Sequence, residues 1–397
     1  LVTEYTYTPR GWLDTITEGA RLTDYAYDDA GQIDTVSLPN GIVLDYEWND
    51  AHLLESISDN DGNTIAYTYD SRGNRTGENL KDDPMGAVQK ALTMSYDARN
   101  RLDTIQQGAN TVANLDFDAV GNLEYQTDPN GNTTDPGYDG LNRLISALDA
   151  TGTGNTLYGY DIHDNLTSVT APNGANTTYV YDDLGNLLEE SSPDRGKTLY
   201  GYDAAGNMTC KADGRYTSSY SDCGSVPQRW VYVYDALNRV DSIDYMATAT
   251  VSPDVSFDYD GANEKGRLNL LSQEYASGEI IDTQYDYDLF GNLIEQRQYV
   301  PDSPVAPDPY VTEYQYDGND QIEQITYPSG RVVDYVRNDA GRIQQIKSTS
   351  PIDQTVTTLV SIVLYKPFGP PTSIAFNNGL VTSRFYDTAY RATQGGL

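Results

Sequence analysis

The chain has 397 residues, among them 34 tyrosines, 34 glycines and 18 prolines but only 6 phenylalanines. Acidic residues outnumber basic ones 59 to 25, a formal net charge of −34. So negative a surface repels phosphate backbones and anionic lipid, which argues against nucleic acid and membrane surfaces as partners.

No stretch approaches the roughly 20 apolar residues of a membrane-spanning helix. The chain opens on Leu1 and stops soon after Tyr386 and Asp387. Both ends read as cut from something longer or processed.

Read in chain order, one unit keeps returning. Tyr25 to Gly31 (YAYDDAG) recurs at Tyr67 to Gly73, Tyr179 to Gly185, Tyr200 to Gly206 and Tyr285 to Gly291. With the Asp position as anchor, copies fall at 8, 28, 49, 70, 97, 118, 139, 161, 182, 203, 235, 260, 288, 317, 338, 366 and 387. Eight of the sixteen intervals are 21 residues, so the period is 21 and longer intervals are one repeat plus an insertion. The array therefore reads as a single unit over residues 1–397, about 17 repeats of ~21 residues.

The position before the anchor is aromatic in every copy but one, Arg337. An aromatic three before the anchor recurs as well, and residues two apart face the same side of a strand. The anchor and the residue three later carry the turn: Asp28 and Gly31, Asp70 and Gly73, Asp118 and Gly121, Asp182 and Gly185, Asp203 and Gly206, Asp288 and Gly291. Asp first and Gly fourth is the signature of a type I turn followed by a left-handed residue, the three-residue hairpin with a bulge. Where Gly is absent, Asn100, Asn142, Asp164 or His52 stands, all residue types that tolerate positive φ; only Tyr390 departs from that set.

An aliphatic residue follows five after the anchor, as in Leu13, Ile33, Leu102, Leu123, Leu187 and Ile343. Another often comes three later, as in Ile16, Ile57, Ile105 and Ile325. A spacing of three is not strand alternation, so it marks either a bulge or two residues serving opposite faces. A second turn closes each unit, as at Pro39-Asn40-Gly41, Asp128 to Gly131, Pro172-Asn173-Gly174 and Pro328-Ser329-Gly330. The expected fold is all-β: tandem β-hairpin repeats forming a continuous, spirally wound antiparallel sheet, an open shell or tube segment. About 34 strands at ~4.8 Å give on the order of 160 Å of sheet, which must coil because strands twist. A propeller would need a period nearer 40–45 residues.

Two insertions stand out, near 203–235 and 297–312. The first carries both cysteines, Cys210 and Cys223, which predicts a disulfide and an oxidising compartment. The second is proline-rich, from Pro301 to Pro309, and reads as an extended solvated loop.

These units resemble the YD-repeat, or Rhs (rearrangement hotspot), family throughout the chain. The motif Tyr-x-Tyr-Asp-x-x-Gly-Asn/Arg-Leu stands nearly intact at Tyr179 to Leu187 and Tyr285 to Leu293. The resemblance implies a hollow β-shell of the kind found in Rhs polymorphic toxins, the cocoon components of Tc toxins and teneurins; in the toxins the shell encloses a C-terminal effector. The Asp-Pro-x-Gly-Leu motif that closes the toxin shells is missing; Asp83-Pro84-Met85-Gly86 is similar but sits mid-array and lacks the Leu.

The anchor aspartates recur with every repeat and are explained by turn capping, whereas catalytic carboxylates come as one distinct pair. His52 and His163 fall in turns, and no Ser-His or Cys-His arrangement is legible. Asp59 to Asn63 resembles a calcium loop but lacks the bidentate Glu, so it reads as an Asp-Gly turn. No catalytic, cofactor or metal residues are therefore expected. The functional expectation is a non-catalytic, secreted or cell-surface β-shell segment. Its partners would be the remainder of a longer parent chain or neighbouring copies, with an enclosed toxin or other effector. The alternative is an extracellular fibre or adhesin segment contacting a cell surface or glycan.

Overall fold

The computed structural model describes residues 2–81, 88–128, 130–148, 154–245, 254–261, 265–275, 278–300, 309–386, 390 and 392–396. The Asp83 to Gly86 motif, Asn263, Asp387 and most of the proline-rich insertion, 301–308, lie outside these residues. The described residues hold strands and one short 3-10 turn, Cys223–Ser225. No helix among them is long and apolar enough to cross a membrane.

Every strand pairing described is antiparallel and joins strands that are consecutive in sequence, from Thr3–Tyr7 with Leu13–Glu18 to Val381–Tyr386 with Ala392–Gly396. Local pairing of this kind follows from short turns: each hairpin is closed within a few residues, and the next strand has only its predecessor to bond. The chain clusters into two compact units. Unit 1 is Leu1–Ala113 with Tyr287–Gln296 and Val311–Leu397; unit 2 is Asn114–Asp286 with Arg297–Tyr310.

The spacing of three is a bulge. Tyr7 pairs with Leu13 and Thr6 with Thr15, so Asp14 is skipped and Ile16 comes opposite Tyr5. The same shift puts Leu54 opposite Trp48 and Ile57 opposite Tyr46, and Ile322 opposite Tyr316 and Ile325 opposite Tyr314. One extra residue reverses the alternation, so both aliphatics share a face with both aromatics.

The turn that creates the bulge is stereotyped. In the Asp182 turn, Asp182 N–H donates to Asn186 O at 2.9 Å and Gly185 N–H to Asp182 O at 3.1 Å. Gly31, Gly73, Gly121, Gly185, Gly206 and Gly291 have φ between 82° and 105°. His52, Asn100, Asn142, Asp164, Asn238 and Asp320 take the same conformation at 60–67°. So does Tyr390, at 63°, held by its hydroxyl to Pro367 O at 3.2 Å. The turns between repeats (link turns, as opposed to the anchor turns above) share the pattern: Leu38 N–H donates to Ile42 O and Gly41 N–H to Leu38 O. In these Pro-Asn-Gly links only the glycine has positive φ, 83° at Gly41 and at Gly174. They are three-residue loops, not two-residue ones, because proline presets the type I geometry ahead of the glycine.

Fully buried apolar side chains are few, as a single sheet layer requires. Five of them, Leu199, Cys210, Ala212, Cys223 and Val226, form one cluster under the 203–235 insertion. Isolated hairpins are marginal, so each repeat depends on its neighbours.

Two glycines separate strain from packing. A Cβ at Gly121 would meet nothing within 4 Å, whereas one at Gly31 would come within 2.4 Å of the Trp12 ring. Gly121→Ala should cost about 1 kcal/mol through left-handed strain alone, and Gly31→Ala at least about twice that. Denaturant unfolding of both variants checks this; equal losses would contradict it.

Candidate functional site: linked turns and an edge-to-edge seam

The anchor carboxylate closes its own turn. Asp182 Oδ1 accepts from Leu184 N–H at 2.9 Å and Asn186 N–H at 2.8 Å, and Oδ2 from Asn186 Nδ2 at 2.9 Å. Asp70, Asp118, Asp203 and Asp288 are held in the same way by Asn74, Asn122, Asn207 and Asn292. At Asp97, Asp139 and Asp235 an arginine replaces the asparagine, its Nε 2.7 Å from Oδ2. Asp28 Oδ1 accepts from Gln32 N–H at 2.9 Å. The amide of the residue four on, followed by backbone N–H groups, holds Asp70, Asp182 and Asp203 below the usual carboxylate range.

In ten repeats the side chain before the anchor ties the repeat to the one before it. Tyr69 hydroxyl donates to Leu54 O at 2.7 Å, Tyr160 to Leu144 O at 2.9 Å, Tyr316 to Leu293 O at 2.9 Å and Tyr365 to Ile343 O at 2.8 Å. The acceptor is always the residue five after the previous anchor. Trp48 supplies its indole N–H to Ile33 O at 2.7 Å. Arg337, the exception in that column, puts its guanidinium on Ile322 O at 3.0 Å. The position favours a long side chain with a terminal donor, which suits tyrosine over phenylalanine there, Phe117 being the one copy whose side chain carries no donor. Burial raises the pKa of Tyr69, Tyr316 and Tyr365 and keeps them protonated donors.

A further contact joins adjacent anchor turns along the ribbon edge. The residue four after one anchor reaches the left-handed residue of the next turn: Asn122 Nδ2 to Asn142 Oδ1 at 2.9 Å, Arg143 to Asp164 at 2.7 Å, Asn207 to Asn238 at 2.9 Å. Asn74 to Asn100, Asn292 to Asp320 and Gln32 to His52 complete the set of polar left-handed residues. Where the reaching side chain is Trp12 or Leu53, the next turn has Gly31 or Gly73 beneath it. Sequence reading missed this column; the signal was a polar residue at +4 preceding every Asn, Asp or His at the next +3.

Unit 1 also brings early link turns against late anchor turns. Arg21 pairs with Asp320 at 2.6 Å and lies 3.4 Å over the Phe290 ring. Pro39 abuts Gly318, and Ile42 abuts Gly341. Asn338 Nδ2 donates to Asp61 Oδ2 at 2.8 Å, Arg342 to Asp59 Oδ2 at 3.2 Å, and Lys366 Nζ to Gln89 Oε1 at 2.9 Å. Two stretches of the ribbon, 269 to 299 residues apart at these contacts (290 − 21 and 320 − 21), thus lie edge against edge. Asp59 is nearly fully buried there, and desolvation, with the neighbouring Asp59 charge, raises the pKa of Asp61.

In unit 2, Cys210 and Cys223 are bonded to each other with Cα atoms 6.1 Å apart. Lys197 Nζ donates to Tyr220 O at 2.6 Å, and Thr217 hydroxyl donates to Lys197 O, so the inserted lobe is pinned to the strand beneath it. His52 and His163 are exposed in their turns. Among the described residues no group of three or more His, Cys, Asp and Glu side chains is placed to hold a metal ion.

Two predictions follow from these contacts. Tyr316→Phe should cost about 1 kcal/mol by stranding Leu293 O, while Arg337→Tyr should be tolerated and Arg337→Leu should not; thermal unfolding of the three variants checks both. The depressed aspartates contribute stability that is complete above their unfolded pKa near 3.8 and is lost as pH falls through their lower folded values. The melting temperature should therefore fall on acidification below about pH 4. The fall should be shallower when Asp70, Asp182 and Asp203 are replaced by Asn, which keeps the backbone acceptor, as Asn49 and Asn338 already do.

The family model described as RHS Repeat matches residues 48–82, 138–175, 160–197 and 181–215. No curated protein sequence matches the chain. The crystal structure of TcdB2-TccC3-Cdc42 is similar with a TM-score of 0.65 at 15% identity, over 99% of this chain and 21% of that one. The crystal structure of TcdB2-TccC3 without its hypervariable C-terminal region gives a TM-score of 0.44 at 11% identity, over 98% of this chain and 30% of that one. The first likeness is one of fold, and the chain spans about a fifth of that solved chain's length.

Proposed function

We propose that this chain, a member of the Rhs/YD-repeat family, is a non-catalytic stretch of β-shell wall in a secreted or cell-surface protein, enclosing or displaying a toxin or other effector. The observation that carries this reading is the seam of unit 1. There a ribbon of hairpins is locked edge to edge by Arg21–Asp320, Arg342–Asp59 and Lys366–Gln89. Edge-to-edge locking is what a wound wall needs, because it covers strand ends and joins one course of ribbon to another.

The recurring polar groups support a structural role as well. Anchor aspartates, tyrosine hydroxyls and the asparagines and arginines at +4 bond to one another or to backbone, repeat after repeat. The Cys210–Cys223 bond favours an oxidising compartment; two free thiols in the unreduced protein would remove that support. The solved assembly of like fold joins TcdB2, TccC3 and Cdc42. By analogy this array of about 17 repeats would meet further chain or neighbouring copies. Electron cryomicroscopy of the full parent protein should then show a hollow shell with the repeats in its wall. A filament, or a string of compact domains with no lumen, would overturn the proposal in favour of a fibre or adhesin.

A further inference from the structure

Four anchor turns of unit 2 carry an exposed aliphatic side chain two after the anchor: Val120, Leu141, Leu184 and Leu237 are 75, 70, 82 and 68% exposed. The Asp161 turn adds Ile162, 92% exposed, beside His163, and the Asp203 turn carries Ala205. The corresponding tips of the first five repeats are Arg10, Ala30, Ala51, Arg72 and Arg99. Neighbouring turns of unit 2 are bonded to one another through Asn122–Asn142, Arg143–Asp164 and Asn207–Asn238. Turns two strands apart are about 10 Å apart, so the tips make a row on the order of 50 Å long. Scattered apolar residues need no account, but four successive aliphatic tips, Val120, Leu141, Ile162 and Leu184, on a highly charged protein mark an interaction surface.

Unit 1 displays how this kind of edge is covered. At the late anchor turns the tip Phe290 lies under the Arg21 guanidinium and Gly318 lies against Pro39. The covering residues are those of link turns. Unit 2 carries exposed link turns of the same composition, Pro172-Asn173-Gly174 and Pro193-Asp194-Arg195.

We infer that the aliphatic row of unit 2 is a docking edge for the link-turn edge of a second copy of this chain. Proline faces and arginine stems supply apolar cover for the tips, and the guanidinium meets the carboxylates of the anchor edge, as Arg21 meets Asp320. Row against row would bring two sets of anchor aspartates together with only Arg143 and Arg239, already paired within their own edge, between them, so the contact is anchor edge on link edge. Such a head-to-tail contact leaves one free edge on each partner and can add further copies. The net charge of −34 opposes it at long range. Salt screens that repulsion over roughly 10 Å and leaves the apolar contact, so association strengthens as ionic strength rises. The inference needs only the edges of unit 2, and its test reads the association of this chain, not the shape of the parent protein.

Sedimentation velocity of the whole chain across protein and salt concentration is the test. The expected result is reversible association, favoured by salt. Combining Leu141→Asp, Ile162→Asp and Leu184→Asp should weaken it at least tenfold, and so should combining Pro172→Ser, Pro193→Ser and Arg195→Glu. Far-UV circular dichroism verifies that each variant is folded, with Ser replacing Asp in the first set if it is not. An equimolar mixture of the two variants should recover association but stop at a one-to-one dimer, since each supplies one intact edge. A chain that stays monomeric, a tip variant that associates like the parent, or a link variant that still dimerises alone would overturn the inference.

Discussion

The hydrogen bond from the side chain before the anchor to a carbonyl in the preceding repeat, made at positions from Trp48 to Tyr386, is the constraint on which the rest of the structure depends. It spans repeats, so a hairpin that is marginal alone becomes one of a bonded series. It also needs a donor at the end of a long, flat side chain. Tyrosine meets that need with little rotamer entropy to lose, and Trp48 and Arg337 meet it with other chemistry. An aromatic ring at this position still packs beside the aliphatic residue opposite it, as Tyr316 does with Ile322. One residue therefore serves both the apolar face and the bond between repeats.

The anchor turn works with that bond. The left-handed residue sets the bulge, and the bulge brings the two aliphatics onto the aromatic face. The anchor carboxylate closes the turn, leaving the side chain at +4 positioned over the next turn's left-handed residue. Where that side chain is apolar and large, as at Trp12, only glycine fits beneath it. Where it is an amide or a guanidinium, either Asn, Asp or His accepts its hydrogen bond, as Asn142 and Asp164 do, or glycine lies beneath it, as Gly185 does beneath Asn165. The preceding repeat thus limits the choice at +3 where its side chain is bulky and leaves it open where it is polar.

Charge is arranged to suit a surface of this kind. Most of the carboxylates gathered at the anchor turns are occupied by N–H donors, which disperse the charge that 59 acidic residues would otherwise concentrate along one edge. Four of the arginines sit where the ribbon meets itself: Arg21 and Arg342 at the seam, Arg143 and Arg239 between adjacent turns. Asp59 and Asp61 share Arg342 at the seam, where desolvation makes a second full negative charge unfavourable.

The sequence by itself determined the repeat, its period, the strand–turn–strand order and the positions of positive φ, because all of these follow from chemistry within about ten residues. Type I turns, left-handed glycines and alternating aromatics are local facts of backbone and side-chain geometry. Whether Leu13 and Ile16 share a face was undecided in the sequence, since it turns on which residue the bulge skips. The bond from Asn122 to Asn142 left a signal in the sequence that only the structure made readable, whereas that from Arg342 to Asp59 was not legible at all. It joins residues 283 apart, and nothing local indicates which distant turns meet. Only the tertiary structure decided those neighbours, because the path of the ribbon is set by accumulated strand twist and the placing of insertions, which no single repeat encodes.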